Sequence, residues 1–186
     1  VLEDMKSLTE AVNRFAFDWC GHRSTCVLSS AALVHVLREL GYDAMPLRVR
    51  CSVHSSEPRQ TGTVLGSDGD GCRQAAAGPD MWHGHLVVIA ENRFLLDPSI
   101  DQVSEGEECN RWMNVPPLAV EVSERFIRGE EGFSFQHGNA NLYYNARRRQ
   151  VGFLSAPDWK RPSHWMPVAR QVLNETKIVA KQSHVT

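Results

Sequence analysis

The stretch 26–53 constrains this chain more than any other, because its hydrophobic period changes from that of a helix to that of a strand across a single glycine. Leu28, Ala31, Ala32, Val36 and Leu40 share a broad apolar face, which predicts a helix over 26–40. Ser24 or Thr25 supplies a side-chain oxygen for the unpaired amides at its start. Gly41 suits the left-handed position just past its end. Beyond the glycine, 44–53 alternates apolar and polar residues over its second half, the period of a half-buried strand. A helix therefore feeds a sheet.

Two shorter apolar runs follow, 84–90 and 93–97, separated by Glu91-Asn92 and closed by Pro98. They read as a β-hairpin. Polar residues stand at its open ends: His85 begins the first strand and Asp97 finishes the second. A two-residue loop of Glu91 and Asn92 would put these two on opposite faces of the sheet, whereas a three-residue loop through Arg93 puts them on one.

Elsewhere, Met5, Leu8, Val12 and Phe15 mark an amphipathic helix over 3–17. The segment 55–80, centred on Gly66-Ser67-Asp68-Gly69-Asp70-Gly71, reads as a long loop of the kind often used as a lid. Strands are expected over 118–126, 133–136 and 141–153, with a terminal helix over 168–179. The sum is one α+β domain spanning 1–186, its helices packed on an antiparallel sheet.

Composition sets the functional classes aside rather than choosing one. A formal net charge of −2 gives no field for nucleic acid, and the run Arg147-Arg148-Arg149 reads as solvated surface. No stretch approaches the roughly 18 apolar residues of a membrane span, and the first residues lack the apolar run of a signal peptide. Five cysteines at irregular spacing do not form a disulfide framework, which points to a reducing cytoplasm.

Chemistry enters through Cys26. A neutral thiol is a poor nucleophile, and the first turn of a helix offers unpaired amides and a positive dipole end that favour a thiolate. An imidazole within reach would take the thiol proton and return it to a leaving group, and a carboxylate would fix that imidazole's tautomer. His85 and Asp97 are the residues placed to do so. Taken singly, each has an ordinary structural explanation: a buried cysteine, a hairpin histidine, a strand-ending Asp-Pro. Their order, cysteine at a helix start and then a hairpin carrying His and Asp, is the one a Cys-His-Asp site requires. Donors for an oxyanion are sought in the Cys26 amide and in a side chain of 19–23. Trp82, His83 and Trp19 are assigned to the substrate cleft, and His83 and Asp101 are alternates for base and carboxylate.

The block Ser24-Thr25-Cys26-Val27-Leu28-Ser29-Ser30-Ala31-Ala32-Leu33, with Leu40-Gly41-Tyr42-Asp43-Ala44 after it, resembles the nucleophile helix of the transglutaminase-like cysteine superfamily. The runs His85-Leu86-Val87-Val88-Ile89 and Leu95-Leu96-Asp97-Pro98 are similar to its histidine and aspartate strands. The resemblance covers roughly 20–101. It implies a papain-like or transglutaminase-like fold, with Cys26 as nucleophile, His85 as general base and Asp97 as orienting carboxylate. It also implies acyl transfer or amide hydrolysis through a thioester on a protein, peptide or small amide or thioester substrate, without a cofactor. The chain departs from the family in lacking a Trp after His85, and in carrying Gly21-His22-Arg23-Ser24-Thr25 where arylamine N-acetyltransferases have Arg-Gly-Gly.

Two other classes compete. A zinc site could be drawn from Cys51-x-x-His54 with Cys72 and His83 or His85, whose donor atoms suit the metal. A non-catalytic binding module could use Trp19, Trp82, Trp112, Trp159 and Trp165 as a recognition surface.

Overall fold

The computed structural model describes residues 1–23, 25–56, 62–66, 84–105, 113–148 and 152–183. Helices α1 (Leu2–Cys20) and α2 (Cys26–Glu39) lead into strands β1 (Ala44–Ser55), β2 (Gly62–Leu65), β3 (His85–Ala90) and β4 (Phe94–Asp97). A 3-10 turn (Ile100–Glu105) precedes β5 (Leu118–Glu121), helix α3 (Glu124–Arg128), β6 (Gly132–His137) and β7 (Ala140–Ala146). A second 3-10 turn (Gly152–Ser155), α4 (Pro157–Lys160) and α5 (Pro162–Ser183) complete the order. The seven strands form one antiparallel sheet, β5-β4-β3-β1-β7-β6, with β2 also paired to β1.

The twelve-residue β1 organises this sheet. Its first half, from Ala44 to Val49, pairs with β3, and its second half, from Val49 to Ser55, pairs with β7. The β2 strand takes up the edge that β3 leaves, Leu65 standing opposite Cys51 and His85 opposite Val49. The sheet curls into a half-barrel with helices against it.

Alternation along the strands divides the interior in two. Ala44, Val88, Ala90, Phe94 and Leu96 face the helices and join Met5, Val12, Ala32, Leu33, Leu37, Val168 and Val172 in one core. Leu47, Val49, Cys51, Val87, Ile89 and Leu95 face the other way and pack with Ile100, Met113, Phe126, Leu142 and Tyr144 in a second. Helix α2 is buried at nearly every position from Val27 to Leu37, because sheet and helices enclose it together. Each large side chain fully withdrawn there contributes on the order of 1.5–3 kcal/mol.

The helix over 26–40, the strand over 44–53 and the hairpin stand within a residue or two of their expected places. Four expectations are corrected. The 55–80 segment is not wholly loop, since β2 lies inside it; its remainder, and with it the lid reading, falls largely outside the described residues. The expected strand 118–126 stops at Glu121, because Ser123 accepts from the Phe126 amide at 3.0 Å and caps α3, which Gly129 ends at φ 77°. The expected strand 141–153 stops at Ala146. Helix α5 begins at Pro162, six residues early, where a proline's missing amide costs little. Among the described residues no helix is long and apolar enough to cross a membrane.

Candidate active site

The hairpin takes the three-residue loop. Ala90 stands opposite Phe94, Ile89 opposite Leu95 and Val88 opposite Leu96, leaving Glu91, Asn92 and Arg93 in the turn. Glu91 and Asn92 both adopt left-handed backbone, φ 54° and 48°. Asn tolerates that region readily, but Glu does not. Glu91 is held by Asp43, whose carbonyl accepts from its amide at 2.8 Å and whose amide donates to its carboxylate at 2.6 Å. This register puts His85 and Asp97 on one face, and their side chains meet there: His85 Nε2 lies 2.6 Å from Asp97 Oδ2, with both side chains at 0% exposure.

Asp97 is the hub of a buried network. Its Oδ2 also accepts from the Tyr144 hydroxyl at 2.9 Å, and its Oδ1 from the Ser99 amide at 3.2 Å. Tyr144 comes from β7, opposite Cys51 on β1, and is fully buried with its ring stacked on Phe135. A buried carboxylate needs such donors to remain charged. Burial and the negative charge of Asp97 push the Tyr144 hydroxyl well above its ordinary range, so it stays a donor.

Cys26 occupies the first position of α2. Its thiol donates to the Gly84 carbonyl at 3.7 Å and lies near enough to the His85 imidazole to help raise it. Because Nε2 is taken by Asp97, the ring atom available to the thiol is Nδ1. Burial pulls the imidazole toward neutrality, but the charge and hydrogen bond of Asp97, and the contact with Cys26, outweigh it and raise His85 to about 10. A second group reaches the same nitrogen: Gln102 Nε2 lies 3.1 Å from Nδ1.

The start of α2 differs from expectation in one respect. Thr25 is the N-cap residue, but its side chain accepts from no helix amide and instead donates to the Arg23 carbonyl at 3.4 Å. Ser24 lies outside the described residues. The first helical bond runs from Ser29 to Thr25, so the amides of Cys26, Val27 and Leu28 precede the ladder, beside the thiol.

Two features hold the parts together. Gly66, at φ 72°, abuts the backbones of β1 and β3 so closely that a Cβ there would stand 2.4 Å from the Val49 carbonyl and 2.7 Å from the His85 amide. Asp101, considered above as an alternate carboxylate, instead pairs with Arg23 and accepts from Asn13 at 3.0 Å. Asn13 also donates to the Pro98 carbonyl at 2.7 Å. This cluster ties α1 and the approach to Cys26 onto the Asp97-Pro98 turn. Burial is the larger influence on the Asp101 carboxyl and pushes it up, opposed by Asn13 and Arg23.

The remaining expectations divide. Trp82 and His83 lie outside the described residues, as do Cys72 and Trp112. Trp19 is 56% exposed and lines a cleft of about 320 Å³ with Cys20, His22, Thr25, Leu28, Asp158 and His164. Leu28 stands about 200° around the helix from Cys26, so this cleft reaches the side of α2 away from the thiol. Trp159 and Trp165 are half-buried against Phe153 and His35. Two members of the zinc constellation diverge: three residues apart on a strand, Cys51 points into the core and His54 points out. Burial raises the Cys51 thiol, with Asp97 adding to the effect. Among the described residues no group of three or more His, Cys, Asp or Glu could hold a metal ion.

Sequence reasoning missed Tyr144, Gln102 and Gly66. Tyr144 had a signal, since Leu142, Tyr144 and Ala146 alternate as an inward face. Gln102 had none, because nothing in the sequence says how a turn after Asp97 folds back over the imidazole. No protein-family model, curated protein or solved structure matches the chain.

Proposed function

We propose that the chain is a thiol-dependent enzyme of transglutaminase-like or papain-like fold, and that Cys26, His85 and Asp97 carry acyl transfer or amide hydrolysis. The observation behind this reading is the buried His85, bonded to Asp97 at 2.6 Å through Nε2 and close enough to the Cys26 thiol to be raised by it. Such a chain of groups serves one chemistry well. Nδ1 accepts the thiol proton as sulfur attacks the substrate carbonyl, and Asp97 stabilises the imidazolium that results. The tetrahedral oxyanion forms beside the first-turn amides of α2. Collapse expels the leaving amine or alkoxide, which takes the proton from Nδ1, and leaves a thioester on Cys26. Water or an amine then attacks that thioester, giving up its own proton to Nδ1, and the thiol is restored.

The test is covalent trapping with an activated acetyl ester, read by intact and peptide mass spectrometry. One acetyl group on Cys26, absent from Cys26→Ala and slowed by about 10²- to 10⁴-fold in His85→Ala, is the expected result. Selective iodoacetamide labelling of Cys26 near pH 6 to 7 should accompany it. Slow, indiscriminate labelling of several cysteines, or undiminished acyl turnover in Cys26→Ala, would sink the reading.

A further inference from the structure

Gln102 makes a contact that the proposed chemistry does not use and in fact opposes. Neutral imidazole has one ring N–H and one lone pair. With Nε2–H given to Asp97 at 2.6 Å, the lone pair is on Nδ1, and Gln102 Nε2 donates to it at 3.1 Å. The thiol proton is meanwhile directed at the Gly84 carbonyl, 3.7 Å from Sγ. These contacts together describe the uncharged form of the pair, thiol beside neutral imidazole, in which an amide occupies the position the thiol proton must reach.

We propose that Gln102 is a positioning residue that restrains the nucleophile, holding Nδ1 by a hydrogen bond so that the Cys26–His85 ion pair forms only when Gln102 turns or withdraws. The inference rests on the function proposed above and adds a control to that same site. Its physical basis is a single lone pair with two competing donors. Once Nδ1 carries a proton it can no longer accept, and the Gln102 NH₂ must give way or rotate by half a turn to present its carbonyl oxygen. Every other contact on the ring favours the charged form, Asp97 and Cys26 both pulling His85 upward. Gln102 is the group whose donation opposes it. Its position in the turn Ile100–Glu105 is secured from both sides, by the Asp97-Pro98 corner and by Asp101 held to Arg23 and Asn13.

The titratable groups that face the pair are Cys26 from α2 and Asp97 from β4, with Tyr144 from β7 and Cys51 from β1 behind the carboxylate and Asp101 beyond it. All of them stay in place when only Gln102 is changed. The experiment is the pH profile of Cys26 alkylation by iodoacetamide, in wild type, Gln102→Leu and Gln102→Glu, with circular dichroism as the check on folding. Losing one neutral hydrogen bond to Nδ1 should move the labelling midpoint of Gln102→Leu down by about half to one pH unit, giving roughly three- to tenfold faster labelling below it. Gln102→Glu, which offers an acceptor to Nδ1–H, should move it further in the same direction. If the leucine variant does not fold, Gln102→Met, which keeps the chain length and lacks the donor, carries the same expectation. An unchanged or raised midpoint in the folded variants, with Cys26 still labelled selectively in wild type, overturns the restraint and leaves the proposed function standing. Absence of selective labelling in wild type overturns both.

Discussion

Asp97 is the residue on which most others depend, and its surroundings allow separate tests of charge and orientation. The Tyr144 hydroxyl, the Ser99 amide and His85 all converge on its two oxygens. Removing the hydroxyl in Tyr144→Phe leaves a buried carboxylate one donor short, so urea denaturation should show a loss of about 1–3 kcal/mol. Asp97→Asn should be gentler on stability than on chemistry. An amide that presents its NH₂ to Nε2 selects the wrong imidazole tautomer, and acylation of Cys26 by the activated ester should slow by roughly 10²- to 10⁴-fold. Unaltered acylation in Asp97→Asn would remove the carboxylate from the chemistry and leave it a structural anchor. At this scale the sequence placed Cys26, His85 and Asp97 at the ends of strongly patterned elements, where the structure has them. It was silent on Gln102 and Asp101, whose roles depend on how the turn Ile100–Glu105 lies against other parts of the chain.

Elements, more than residues, set the distance between thiol and imidazole. Helix α2 is fixed by burial on nearly all sides, and strand β3 is fixed by β1 along its length and by β4 at its far end. Leu33 and Leu37 are fully buried, so Leu33→Ala should cost about 2–5 kcal/mol and lower the urea midpoint accordingly. At the His85 end, the neighbouring backbone is that of Gly66. Gly66→Ala combines a strained φ with a clash against the backbone of Val49 and His85. We expect it to cost at least ~1–3 kcal/mol and to slow Cys26 acylation, because β3 must shift where the imidazole is attached. Equal acylation rates in Gly66→Ala and wild type would show that the contact does not position His85. The hairpin register was the hinge of the sequence argument, and it was decided by conformations that sequence preferences do not favour. Glu91 in a left-handed conformation is disfavoured locally and is held there by its bonds to Asp43, a residue 48 positions away.

For the molecule as a whole, the shifts of His85, Cys51 and Tyr144 share one sign. His85 is raised from 6.5 to about 10, so the folded state binds its proton more tightly than the unfolded chain. That stabilisation is complete below pH 6.5 and is lost as pH rises through about 10. Cys51 and Tyr144 are raised as well, from ordinary values of 9.0 and 10.0, and their contributions fade as pH climbs past those values. In each case the folded state holds the extra proton, so stability falls with rising pH. The urea midpoint should therefore decline between pH 7 and 10, with a shallower decline in His85→Gln. A midpoint that rises over this range would contradict the buried network as described.

The sequence by itself determined the helix over 26–40, the strand after Gly41, the two short strands that end in His85 and Asp97, and hence an α+β domain in which cysteine, histidine and aspartate appear in that order. Those features are local: they follow from the period of apolar residues and from glycine and proline at the ends of elements. Tertiary structure alone decided which groups meet. It brought His85 and Asp97 onto one face, turned Cys51 inward and His54 outward, sent Asp101 to Arg23, and delivered Tyr144 and Gln102 to the site from β7 and from the turn after β4. Such meetings depend on register and on contacts between residues far apart in the chain, and a one-residue slip in pairing would have reversed the face of every side chain involved.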